Sequence, residues 1–378
     1  MEKIAGMFYD AIVLGVGGMG SAAVYHLARR GARVLGIEQF GIPHDRGSSH
    51  GVSRIIRLAY WEHPDYVPLV RRAYDLWRDL EGSVGEPLLT VTGTIDGGPP
   101  DSRTIRGSLS ACRTHGLAHE LLDAAALSRR FPGYRLPDDH VAVFQPEGGF
   151  LFAERCTLAH ANAARAAGAD VHLDQRATGW TVAGGGVQVT TERARYHAAK
   201  LVITAGPWLA AVVPALARHL TVERQVVLWT RPLRPELFTS DRFPVFYIDT
   251  PRGGFYGFPL DPARGFKIGK YHHRRQRTDP DSVDRTCSPE DEAALRDGIA
   301  HYFPDANGPT ASMSTCLFTN TPDEHFIIDR LPDHPEVVIA GGFSGHGFKF
   351  CSVVGEMAAD LALDPASSRL SLFAIDRL

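Results

Sequence analysis

The sequence predicts an α/β fold in which a Rossmann-like domain, assembled from separated segments, is joined to a second domain built on a mostly antiparallel β-sheet. Three observations predict it. Residues 10–39 read as one complete βαβ unit around a glycine-rich turn. Residues 221–319 change texture to aromatic, strand-like runs with Pro-rich turns. A second glycine-rich turn, GGFSGHG, follows an apolar strand near the end of the chain and leads into a helix, so the first domain draws on both ends. The boundaries read as 1–92, 145–221 and 320–378 for the first domain, and 93–144 and 222–319 for the second.

Within the βαβ unit an apolar strand over Ala11–Val16 meets the turn, a helix follows over Met19–Arg30, and a strand over Val34–Ile37 ends on Glu38. Gly15 permits the tight turn, Gly17 lets backbone approach a pyrophosphate, and Gly20 allows helix to pack closely on strand. The phosphates then lie at the positive end of the helix. Glu38, about 20 residues beyond the turn, is placed to accept from an adenosine ribose. This pattern points to a dinucleotide and does not separate NAD from FAD.

The next stretch, QFGIPHDRGSSHGVSRIIRLAYWEHPDY, reads as a functional loop. It carries Ser48, Ser49, His50, Arg54 and Arg57 on the cofactor side of the sheet. Helices are expected over Tyr66–Leu80, Ser108–His115, Cys156–Gly168 and Phe348–Leu363. Strands are expected in LLTVTGTIDGG, closed by a Gly-Gly turn, in the run ending at Gly206, and over Val337–Ala340. FPGYRLPDDH reads as a turn-rich excursion and HHRRQRTDPD as a solvated loop.

A chain of 378 residues has room for two domains. Its net charge of −3 gives no electrostatic reason to expect nucleic acid or an anionic membrane. No apolar run approaches the roughly 18 residues of a membrane span, and MEKIAGMFYD has no secretion-signal pattern, so the expected compartment is the cytoplasm. Cys112, Cys156, Cys287, Cys316 and Cys351 are scattered without CxxC spacing, which argues against a disulfide framework or a zinc site.

The segments GVGGMGSA, GSSHGVSRIIRLAY, YGFPLDPARGFKIG, CLFTNTPDEHFIID and GFSGHGFKF closely resemble, in order and over essentially the whole chain, the monomeric sarcosine oxidase and N-methyltryptophan oxidase family of flavoprotein amine oxidases. The resemblance implies FAD, held covalently through Cys316. It implies a monomer that oxidises a secondary amine on an amino acid, a small-molecule substrate, and reduces oxygen to hydrogen peroxide. Around the cofactor it adds Gly18, Met19 and Gln39 to the first turn and strand end. Gly342, Phe343, Gly345, His346, Gly347 and Lys349 come from the second turn. Arg57 and Lys349 are implied to hold the substrate carboxylate, and a guanidinium fork suits that task. His50 and Arg54 lie against the flavin, Tyr256 and Gly345 line the substrate cavity, and Lys267 faces the flavin where oxygen is reduced.

Two departures from the family pattern carry expectations of their own. IGKYHH is one residue longer than the usual pattern, which makes His272 the expected active-site histidine and His273 the other candidate. Phe318 stands where sarcosine oxidases have tyrosine, so the cavity loses a hydroxyl and larger or cyclic N-substituted amino acids are expected to rival sarcosine. A flavin dehydrogenase using another acceptor and a non-catalytic FAD-binding protein are the alternative readings.

Overall fold

The computed structural model describes residues 8–378. Strand Phe8–Leu14 pairs in parallel with Val34–Ile37 on one side and Arg195–Ile203 on the other, and helix Gly18–Arg29 connects the first pair. The strand ends two residues before the periodicity places its end. Gly15 turns to a φ of +91°, and the Val16 N–H leaves the ladder to bond the Glu38 carboxylate.

This first sheet has eight strands, and Arg195–Ile203 organises one side of it. Its early half pairs with the hairpin strand Gly186–Thr191, and residues 201–203 pair in parallel with His334–Gly341. The last segment of the chain thereby lies beside the first. Helices Gly18–Arg29, Ala153–Ala166 and Cys351–Leu363 pack together over the sheet, with Tyr66–Val84 against the latter two. Gly355 allows the close approach, since a Cβ there would sit 2.5 Å from Ala22.

The second sheet has nine strands and is antiparallel except where Thr94–Gly98 runs beside Val245–Thr250. Its longest pair, Thr221–Thr230 with Thr310–Asn320, sets Gln225 opposite Cys316. Behind it Phe238, Phe243, Phe246, Phe266 and Phe303 form an aromatic core, each side chain contributing roughly 1.5–3 kcal/mol by burial.

Four local expectations are corrected. The loop after Glu38 contains a strand, Ser53–Ile56, in a small antiparallel sheet with Gly149–Phe152 and Leu89–Val91. LLTVTGTIDGG divides at Gly93, with a φ of +77°, into strands of two different sheets, and Gly97 and Gly98 lie inside the second strand. Helix Pro289–Tyr302 interrupts the strand-rich region, and its start was legible in SPED: Ser288 and Asp291 form a capping box, with Pro289 in the first turn. Within HHRRQRTDPD, His273 is buried on Asp291 while the arginines after it stay outside. Among the described residues no helix is long and apolar enough to cross a membrane.

Candidate active site

The glycine-rich turn opens onto a cavity of about 750 Å³, within the roughly 300–1,000 Å³ usual for ligand sites. Gly20 packs so closely that a Cβ would fall 1.8 Å from the Gly15 carbonyl, whereas Gly17 faces open space, with only Ser49 Oγ at 3.8 Å. Helix Gly18–Arg29 has a glycine at its N-cap and no acidic residue in its first turn, and Ser49 Oγ accepts from Gly18 N at 3.1 Å; no negative charge sits at its positive end, which suits an anion. Glu38 reaches the same cavity, accepting from Val16 N at 2.7 Å and Phe40 N at 3.0 Å, and burial pushes its pKa up to about 7. Gly18, Met19, Gln39, Ser48, Ser49, Gly206, Gly342, Phe343 and Gly347 complete the expected lining.

A smaller cavity of about 80 Å³ adjoins it, the two sharing Arg54, Phe318, Gly345 and Phe348 in their walls. Strand alternation explains its lining. Ser314, Cys316 and Phe318 point the same way from one strand, and Tyr256 and Phe258 from another. Gly345, at a φ of +78°, lets the turn lie against Phe318, whose ring would be 2.3 Å from a Cβ there. His50 lines the cavity with a buried Nε2 that has no partner among the described residues, and burial, then Arg54, lowers its pKa to about 4.

The far end of this cavity is ionic. Arg57 Nη2 donates to both oxygens of Glu62 at 2.9 Å, and its Nη1 donates to the Ala59 carbonyl. Burial works against its charge, but Glu62 and Asp96 more than offset that and keep it cationic. Lys349 Nζ donates to the His346 carbonyl at 2.8 Å, and burial, then Arg57, lowers it from 10.5 to about 7. His346 joins Tyr60 Oη at 2.6 Å and the Glu324 carbonyl at 2.9 Å.

Two expected residues lie elsewhere. Lys267 lines neither cavity: its ammonium donates to the carbonyls of Gly51 and Ser53 and to Ser53 Oγ, over the ring of Phe258. Strand Gly265–Lys270 ends one residue before Tyr271, and in the turn that follows, Tyr271, whose Oη donates to the Ser344 carbonyl at 2.6 Å, takes the cavity position expected for His272. His272, at a φ of +54°, turns outward between Glu223 and Glu324, which accept at 2.7 and 2.8 Å. His273 is also absent from the cavity and bonds Asp291 at 2.9 Å. Phe318 lines the cavity together with Trp61, Tyr247 and Tyr271.

Sequence reasoning passed over Glu62, Asp96, Trp61 and Tyr247. Only Glu62 had a local signal, an acid five residues after Arg57. Glu154 was also missed. It accepts the N–H groups of Gly51 and Val52 and fixes the loop that presents His50.

The fold and the two adjoining cavities define a flavin-dependent oxidoreductase: the family described as FAD dependent oxidoreductase matches residues 10–361, and the chain belongs to it. The monomeric sarcosine oxidase of Streptomyces avermitilis is 43% identical over 362 residues, 94% of each chain. An N-methyl-L-tryptophan oxidase of Salmonella enteritidis is 36% identical over 369 residues, 96% of each. The solved structure of NikD, an unusual amino acid oxidase essential for nikkomycin biosynthesis, matches with a TM-score of 0.83 at 26% identity, covering 97% of each chain. Within the wider family, this chain is a member of the monomeric sarcosine oxidase and N-methyl-L-tryptophan oxidase group. Its residues fit FAD: the helix start without an acidic residue suits the pyrophosphate, Glu38 the ribose, and the smaller cavity that adjoins the larger one holds His50, whose Nε2 has no partner among the described residues.

Proposed function

We propose that this chain is an oxidase of secondary amino acids, N-methyl or cyclic, that yields an imine, which hydrolyses, and hydrogen peroxide from oxygen. The observation that carries the reading is the buried pair Arg57 and Lys349 at the end of a cavity that also exposes Cys316 and His50. Bound FAD supplies the two-electron acceptor for the C–H bond next to nitrogen. Arg57 and Lys349 hold the substrate carboxylate, with Glu62 releasing part of its hold on Arg57 as that carboxylate arrives. His50 and His346, lowered to about 4 chiefly by burial, stay neutral at pH 7 and place no positive charge near the amine. The aromatic walls exclude water and orient the carbon.

Cys316 is the proposed thioether link. Burial pushes its thiol up, but Arg54, Lys267 and Arg285 all favour the thiolate. Residues 1–92, 145–221 and 320–378 form the FAD domain of this reading, and 93–144 with 222–319 the substrate domain. A cytoplasmic monomer accompanies it, supported by relatives named monomeric. Lys267 is assigned to oxygen activation as a buried amine beside Cys316, although burial, then Arg54, holds its pKa well below the ordinary lysine value. Its ammonium is tied to backbone and lines neither cavity, which favours a second reading, a dehydrogenase passing electrons to another acceptor.

The test is anaerobic mixing of the holoenzyme with secondary amino acids, followed by air. Flavin bleaching and then stoichiometric peroxide are expected. Bleaching with slow reoxidation selects the dehydrogenase, and no bleaching by any member of the panel rejects both.

A further inference from the structure

The smaller cavity holds about 80 Å³, and a cavity of about 150 Å³ is what a benzene ring occupies in a protein interior. A phenyl or indole side chain therefore has no room beside Arg57 and Lys349. Of the aromatic side chains that line it, Trp61, four residues after Arg57 and 9% exposed, is the one whose ring lies against the Arg57 guanidinium.

Trp61 is held on every side that the contacts define. Its ring packs on Tyr247 with centroids 5.3 Å apart. The Arg103 guanidinium lies 5.3 Å from the ring centre and that of Arg57 5.6 Å, which places the indole against both charges. Its backbone is equally confined. Gly107, on helix Arg103–His115, approaches so closely that a Cβ would fall 2.4 Å from the Trp61 carbonyl oxygen and 2.8 Å from its Cα. The indole therefore cannot withdraw by a small backbone shift, and rotating it out breaks the packing on Tyr247 and Arg103.

We infer that Trp61 is the residue that sets substrate size, admitting secondary amino acids with small α-substituents, a compact ring included, and rejecting aromatic ones. The inference rests on the amino-acid oxidase reading and deepens it. It reverses the preference that Phe318 by itself implies. The hydroxyl missing at Phe318 changes polarity, but the indole lining the same cavity removes the volume that a larger substrate needs.

The experiment uses the holoenzyme and two readouts. The first is perturbation of the flavin absorbance by acetate and by indole-3-acetate, which requires no turnover. The second is kcat/KM for sarcosine and for N-methyl-L-tryptophan. Wild type is expected to bind acetate and oxidise sarcosine with strong preference. In Trp61→Ala, indole-3-acetate affinity and the N-methyltryptophan-to-sarcosine ratio of kcat/KM should each rise about tenfold or more. A ratio and an affinity order unchanged within about threefold in flavin-loaded Trp61→Ala overturn the assignment. Should Trp61→Ala not retain flavin, Trp61→Leu opens the same wall by a smaller step, and an unchanged preference there overturns it equally. A wild type that discriminates neither pair refutes the role of Trp61 alone. A wild type whose flavin responds to no carboxylate and to no secondary amino acid refutes the amino-acid reading itself.

Discussion

Lys349 sits at the point where burial and function oppose each other. Its pKa of about 7 leaves the side chain half charged near neutrality, and an arriving carboxylate favours the charged form. The sign follows directly: protonated Lys349 predominates below about 7, so affinity for a carboxylate ligand falls as pH rises above that value. The decline should approach about tenfold per pH unit. In Lys349→Met the affinity should be lower throughout and the dependence between pH 7 and 8 lost; titration of acetate against the flavin spectrum reads both. At Cys316 the expected result is that acid-precipitated protein stays yellow, while Cys316→Ala releases its flavin to the supernatant. Cys351 also reaches the larger cavity, and burial pushes its thiol well up. Retention of flavin in Cys316→Ala together with its loss in Cys351→Ala would assign the link to the other sulfur.

The loop from Ser48 to Val52 is the element on which the site depends most. It passes through positive φ at both Gly51 and Val52, the second a β-branched residue for which that conformation is strained. What holds it is Glu154, in the first turn of helix Ala153–Ala166, which accepts from Gly51 N at 2.7 Å and Val52 N at 3.1 Å. Lys267 braces the same loop from the other side through the Gly51 carbonyl at 2.6 Å. Glu154→Ala leaves two N–H groups without their acceptor, at a cost of about 1–3 kcal/mol. Its thermal midpoint should fall, and its flavin content should fall further than that of a surface control such as Glu236→Ala. Equal flavin retention in the two variants would show that the loop keeps its shape without the carboxylate. Lys267→Met separates bracing from oxygen chemistry: slow reoxidation with normal anaerobic reduction supports the oxygen role, and equal loss of both supports the brace.

Across the whole molecule, the helical layer over the first sheet buries two neutral imidazoles. His26 and His160 lie against Tyr25, and His160 also against Trp77; His26 Nε2 and His160 Nδ1 are without partners among the described residues. Burial lowers His26 from 6.5 to about 4 and His160 well below its ordinary value. Depressed pKa values mean that the unfolded chain takes up the protons first. Their contribution is complete above about 6.5 and lost as pH falls toward 4. Glu38 and Asp96, raised to about 7 and about 6 by burial, act with the opposite sign, so the comparison must be between variants. His160→Phe should show a thermal midpoint that declines less between pH 7 and 5 than that of wild type, and parallel curves would remove His160 as a cause.

What the sequence determined by itself is local. The strand, glycine turn, helix and terminal Glu38 lie within one run of thirty residues, and their chemistry follows from spacing alone. The short motifs around Arg57, Cys316 and Lys349 were enough to identify the family and its flavin. The tertiary structure decided what depends on pairing between distant segments. Tyr271 rather than His272 enters the cavity because, past the end of strand Gly265–Lys270, His272 adopts a positive φ that turns it toward Glu223 and Glu324, while Tyr271 Oη reaches the Ser344 carbonyl. Trp61 becomes a wall only because Tyr247 and Gly107 arrive from other parts of the chain. Glu154 meets the loop it supports across about a hundred residues. None of these contacts leaves a periodicity in the sequence, since each is set by where the backbones cross in space.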